Sequence, residues 1–170
     1  MFLERYLMPD FMTAHFSNVK PEMLTQAGIR GLICDIDNTL ATYDDPDPPE
    51  NVRRWCAEMT AAGVKIAFVS NNDDARVNRF NKPFGFPAFP DAKKPSVKGL
   101  ARAMQAMGTD VTSTAVLGDQ LLTDALAAKR AGLKAIIVPP IKDKKTLFFR
   151  FKRWLEQPYV NEYRRRHTLI

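Results

Sequence analysis

Four short apolar runs punctuate the chain: GLICDI (31–36), VKIAFVS (64–70), STAVLGD (113–119) and LKAIIVPP (133–140). Segments of helical spacing lie between them. Runs this short, with scarcely a polar interruption, suit strands buried on both faces, which is the condition of a parallel sheet. NVRRWCAEMTAAG (51–63) sets Val52, Trp55, Cys56 and Met59 at helical spacing and closes on Gly63. DDARVNRF (73–80) reads as a short helix stopped near Pro83, and FPAF (86–89) as a short strand weakened by its prolines. SVKGLARAMQAMG (96–108) and QLLTDALAAKRAG (120–132) are further helices with glycine stops. The order predicts an α/β fold of three layers, a central parallel sheet with helices on both faces.

In such sheets ligands bind beyond the carboxyl ends of the strands, and polar residues collect there. Asp35 and Asp37 follow the first run, Ser70 and Asn71 end the second, and Asp119 closes the third. Carboxylates gathered in one cleft repel and raise one another's pKa. A hard divalent cation resolves the conflict, and Mg²⁺ takes oxygen ligands of the kind Asp35 and Asp119 offer. The first carboxylate of DIDNT can then attack phosphorus, giving an aspartyl-phosphate. Asp37, two residues on, can protonate the leaving alcohol and later deprotonate water. Ser70 and Asn71 can donate to phosphoryl oxygens. Lys94, just before Pro95, supplies a positive charge to the nucleophile and the transferring group.

These residues carry a family resemblance. DIDNTL resembles the first motif of the haloacid dehalogenase (HAD) superfamily, in the DxDxT form usual among its phosphatases. FVSNN resembles the second motif, KKPS the third with Lys94 favoured over Lys93, and GDQLLTD the acidic fourth with Asp119 and Asp124. The similarity covers roughly residues 19–140 and is nearest to the subclass IIIA enzymes, in the YqeG-like branch that resembles mitochondrial phosphatidylglycerophosphate phosphatase. It implies a Rossmann-like HAD core and a Mg²⁺-dependent phosphomonoesterase with Asp35 as nucleophile and metal ligand. Asp37 would be general acid/base and lend its backbone carbonyl to the metal. Asp119 would complete the protein ligands, with Asp124 bound directly, through water or nearby. Such enzymes often insert a cap domain after the first motif or between the second and third, but neither gap here holds one. The acidic, proline-rich ATYDDPDPPE (41–50) is at most a flap, and an open site suits a large substrate.

A chain of 170 residues is one domain with a short appendage: residues 1–140 as the phosphatase core with an N-terminal extension, and 141–170 as a basic amphipathic tail. No run approaches the ~20 apolar residues of a membrane span, and the N-terminus lacks the marks of a signal peptide. Cys34 and Cys56 read as small core residues, which fits a cytoplasmic protein, with a peripheral membrane location left open. His15 and His167 have no companions at metal-ligand spacing.

Residues 142–170 hold nine basic and three acidic residues, the whole +6 of the chain. Such a tail suits an anionic partner, lipid or nucleic acid. Within TLFFRFKRWLEQ (146–157), Leu147, Phe148, Phe151, Trp154 and Leu155 form one face. That face suits a membrane interface, with packing on the domain or on a second copy of the chain slightly favoured. The expected activity is hydrolysis of a phosphomonoester, with a phospholipid headgroup such as phosphatidylglycerophosphate as one substrate. The alternatives are a HAD-scaffold protein docking RNA, ribosome or protein through the tail, or a phosphatase acting on phosphoprotein or nucleic acid.

Overall fold

The computed structural model describes residues 4–142 and 146–167. Six parallel strands form one sheet: β1 (Phe11–Met12), β2 (Gly31–Cys34), β3 (Lys65–Val69), β4 (Ala88–Phe89), β5 (Thr114–Gly118) and β6 (Lys134–Ile137), in the order β1-β6-β5-β2-β3-β4. Helices α1 (Glu4–Leu7), α2 (Pro21–Gln26), α3 (Glu50–Ala61), α4 (Asp74–Asn81), α5 (Lys98–Met107), α6 (Leu126–Arg130) and α7 (Leu147–Arg166) surround it.

Alternation along the strands sends successive side chains into two cores. Leu32, Cys34, Ile66, Phe68 and Leu117 pack with Val52, Trp55 and Met59 of α3. Ile33, Ala67, Val69 and Val116 pack with Leu100, Ala103 and Met107 of α5 and with α6. This is the three-layer α/β architecture that the apolar runs predict, and among the described residues no cap domain interrupts it. Both cysteines are free and buried. Gly108 ends α5 in the left-handed conformation, φ 64°, which a Cβ disfavours.

Three features depart from the sequence reading. Strand β1 pairs with β6 and closes that edge of the sheet, where no strand was expected. The helix after β5 begins as a π-helical turn, Leu121–Ala125. Finally, α7 runs to Arg166, through Pro158, and packs with the opposite face from the one expected. Arg153, Glu156, Val160 and Tyr163 turn inward, with Glu156 and Tyr163 buried and the Tyr163 hydroxyl accepting from Met12 N at 3.1 Å. Leu147, Phe148, Phe151, Trp154 and Leu155 remain exposed, so that face does not pack on its own domain. The helix docks through polar groups that find partners on the core and through Tyr159, Val160 and Tyr163, not through its aromatic stripe.

Candidate active site

Strands β2 and β5 are neighbours in register, Cys34 beside Leu117, so Asp35 and Asp119 leave the sheet side by side. Asp35 N donates to Leu117 O at 2.9 Å. Thr39, four residues on, donates its hydroxyl to Asp35 Oδ2 at 3.1 Å and lies 3.5 Å from Asp119 Oδ1. Ile36 is fully buried, so the DIDNT turn is anchored inward while Asp35 and Asp37 line a cleft of about 270 Å³. Ser70, Asn71, Asn72, Lys94, Tyr43, Gln120, Thr123 and Asp124 complete its wall.

Lys94 sits at the centre of the charge. Its ammonium donates to Asp35 Oδ1 and to Asp124 Oδ1, both at 2.7 Å and both buried. Burial works to lower its pKa, but the Asp124 and Asp35 carboxylates outweigh that and hold it above the ordinary lysine value. Lys93 is exposed, with φ 51°. Of the KKP pair, Lys94 is the one that reaches the cleft.

The π-helical turn explains Asp124. The wide turn lets its side chain reach back, where Oδ2 accepts from Asp119 N at 3.2 Å and Gln120 N at 3.1 Å. Gly118 makes room for it: a Cβ there would lie 2.3 Å from Asp124 Cγ. Asp124 is thus engaged through both oxygens, by Lys94 and by two backbone amides.

Ser70 lines the cleft, its Oγ accepting from Asn72 N at 3.1 Å. Asn71 also borders it, but its amide is tied to the backbone of Lys94, accepting from Lys94 N at 2.7 Å and donating to Lys94 O at 3.3 Å. In this arrangement Asn71 holds the lysine loop in place.

Several site residues were not singled out in the sequence. Arg76 donates through Nε and Nη2 to Asp37 Oδ1, at 3.2 and 3.0 Å, while Asn72 Nδ2 donates to Asp37 Oδ2 at 2.9 Å. The same guanidinium reaches the carbonyls of Thr42, Asp45 and Pro46, tying the 41–50 flap to the cleft. Asp73 caps α4 by accepting from Arg76 N at 2.8 Å, and that helix start, placed just after a strand end, is the signal that could have found Arg76. Arg153 of α7 donates to Asp119 Oδ2 at 2.5 Å and to Asp119 O at 2.7 Å. Tyr43 is pushed above the usual tyrosine range by burial and by the surrounding carboxylates, Asp119 foremost.

Asp35, Asp119 and Asp124 each offer a carboxylate oxygen within 4.8 Å of the others. Burial, with Asp124 nearby and against the pull of Lys94, raises Asp35 to about 6. Burial and the Asp124 and Asp35 charges raise Asp119 to about 8 despite Arg153. Three buried carboxylates this close together, Asp35 and Asp119 both raised by burial, fit a hard divalent ion. Asp119 Oδ1 faces the Thr39 hydroxyl, which also reaches Asp35, while Oδ2 is taken by Arg153.

Comparison with known proteins agrees with this geometry. Residues 9–132 match the family model of the haloacid dehalogenase-like hydrolases. The chain belongs to this family. It is 34% identical over 164 residues to "Probable phosphatase YqeG" of Bacillus subtilis, covering 96% of this chain and 95% of that one. Family membership, that relative and the site itself make the chain an enzyme, a HAD-type phosphatase. A Legionella pneumophila hydrolase described as HAD superfamily, subfamily III A, superposes with TM-score 0.52 at 17% identity, over 84% of this chain and 90% of that one. The 3-deoxy-D-manno-octulosonate 8-phosphate phosphatase of Moraxella catarrhalis does so with TM-score 0.52 at 16% identity, over 85% and 95%. At these identities the likeness is one of fold. Among the described residues no helix is long and apolar enough to cross a membrane.

Proposed function

We propose that this HAD phosphatase is a Mg²⁺-dependent phosphomonoesterase that works through an aspartyl-phosphate at Asp35 and acts on a phospholipid headgroup of the phosphatidylglycerophosphate kind. The observation that carries the chemistry is the Lys94 ammonium bridging Asp35 and Asp124 at the floor of an open cleft. An oxygen of Asp35 attacks phosphorus in line, and the bond to the leaving alkoxide breaks. Asp37 gives that oxygen its proton, then takes one from water as the water attacks and the Asp35–phosphorus bond breaks. Inorganic phosphate leaves and Asp35 is restored. Lys94 and the Ser70 hydroxyl offset charge on the phosphoryl oxygens. Asp35, Asp119 and the Asp37 carbonyl would hold Mg²⁺, with Asp124 beside them. The ion would supply charge neutralisation at the phosphoryl group. The Moraxella phosphatase of the same fold was crystallised with magnesium and phosphate ions.

The lipid reading is supported by the absence of a cap, which leaves the cleft open to a bulky phosphate ester. Hydrolysis of an aryl phosphate with and without Mg²⁺, by the unchanged chain and by Asp35→Asn, tests the chemistry. Turnover that survives in Asp35→Asn or ignores chelation would end this reading. Phosphate release from phosphatidylglycerophosphate in mixed micelles, against a phosphopeptide and a 5′-phosphorylated oligonucleotide, tests the substrate. A clear preference for either of the latter two would refute the lipid headgroup.

A further inference from the structure

The first half of α7 presents an aromatic face that nothing among the described residues covers. Leu147 is 81% exposed, Phe148 64%, Phe151 55%, Trp154 69% and Leu155 38%. Phe151 and Trp154 stack, ring centroids 5.9 Å apart. The positions fall at spacings of one, three and four residues, so they form a single stripe. A contiguous exposed apolar patch of this kind marks a contact surface.

The charge around the stripe narrows the partner. Arg150 is exposed, and the Lys152 ammonium lies 4.7 Å from the centre of the Phe148 ring. Lys144 and Lys145 precede the helix in sequence, and no acidic residue occurs from Lys144 to Leu155. The first acid of the helix, Glu156, is turned inward and buried, accepting from Leu122 N at 3.0 Å and from Arg153 at 2.9 Å. Among the described residues the outer face is thus aromatic and cationic, with the first acid of the helix withdrawn from it. An anionic bilayer offers both complements, an apolar boundary for the rings and a negative surface for the cations.

We propose that the outer face of α7 is a docking surface for anionic lipid bilayers, with Phe148, Phe151 and Trp154 entering the interface and Arg150 and Lys152 at headgroup level. The helix lies beside the active site: Trp154 points outward while its neighbour Arg153 binds Asp119. A docked α7 therefore holds the open cleft next to the membrane surface. This docking goes beyond the phosphatase reading and stands whether or not a lipid is the substrate.

Flotation of the full chain with vesicles tests it. Vesicles of phosphatidylcholine with about 30 mol % phosphatidylglycerol should carry the protein upward, and binding should weaken as salt screens the headgroups. Pure phosphatidylcholine should bind it less. Trp55 is buried and Trp154 exposed, so a blue shift of tryptophan emission on binding would report Trp154. The double variant Phe151→Glu/Trp154→Glu should lose binding by at least about tenfold, while its melting temperature and its hydrolysis of a soluble aryl phosphate stay near those of the unchanged chain. Asp35→Asn should float normally, which separates docking from chemistry. Three results would overturn the proposal. The first is no flotation with anionic vesicles. The second is equal flotation of the double variant. The third is the absence of flotation together with a dimer, or an RNA complex, that the double variant abolishes.

Discussion

Arg153, on the last helix of the fold, donates to both the carboxylate and the carbonyl of Asp119, a residue at the tip of a central strand 34 positions earlier. A strand-end acid beside the cleft is therefore braced from outside the four sequence motifs, by a helix that also carries the exposed aromatic face.

Removing that brace has a measurable consequence. Arg153→Leu leaves Asp119 and Glu156 without their shared counter-charge. Breaking a fully buried pair costs about 3–5 kcal/mol; the Arg153 side chain is 27% exposed, so a loss of about 2 kcal/mol is expected. Mg²⁺ should restore more of the melting temperature in this variant than in the unchanged chain. Thermal melts with and without Mg²⁺ check it, and an equal Mg²⁺ effect on both proteins would count against Asp119 as a ligand.

Lys94 and Lys93 should separate cleanly. Lys94→Met removes the cation between two buried carboxylates and should lower kcat by about 10²–10³, the scale of losing one electrostatic donor at the reacting group. Lys93→Met, at an exposed position, should leave kcat within about twofold, as exposed substitutions away from such features generally do. Steady-state kinetics on one aryl phosphate decides between them.

The pH dependence of the metal-free protein follows from Asp35 and Asp119, raised from 3.8 to about 6 and about 8. Between roughly pH 4 and 8 the folded chain keeps protons that the unfolded chain has released, so these two groups lower stability as pH rises through that window. A divalent ion replaces the protons. The Mg²⁺-induced rise in melting temperature should therefore be larger at pH 8 than at pH 5, and a rise independent of pH would contradict it.

Arg76 holds Asp37 and three flap carbonyls with one guanidinium. Arg76→Lys keeps the charge but loses the planar fork, so kcat should fall about tenfold, a fraction of the roughly 10²–10⁴ that positioned acid–base catalysis contributes in full. A change in KM alone would mean that Arg76 serves only the flap.

What could be read in the sequence is what short-range pattern encodes. Apolar runs, glycine stops and the acids at strand ends are local signals, and they located the sheet and brought Asp35, Lys94 and Asp119 to its carboxyl end. Arg76 and Arg153 find their carboxylates 39 and 34 residues away, a pairing that no local pattern announces. Strand β1 is only two residues long, too short to alternate. The facing of α7 escaped for another reason. An apolar stripe is ordinarily assumed to point inward, yet here the ion pair on Asp119 and the Tyr163 hydroxyl on Met12 set the rotation.

Gly118 contributes no functional group, and its significance lies in what it leaves vacant. The Asp124 carboxylate occupies the volume that any other residue at 118 would fill, within 2.4 Å of where a Cβ would stand. The position of Lys94, and through it the poise of Asp35, thus depends on an atom the chain omits. Among the residues of the cleft, the one with the least chemistry is the one with the least freedom to vary.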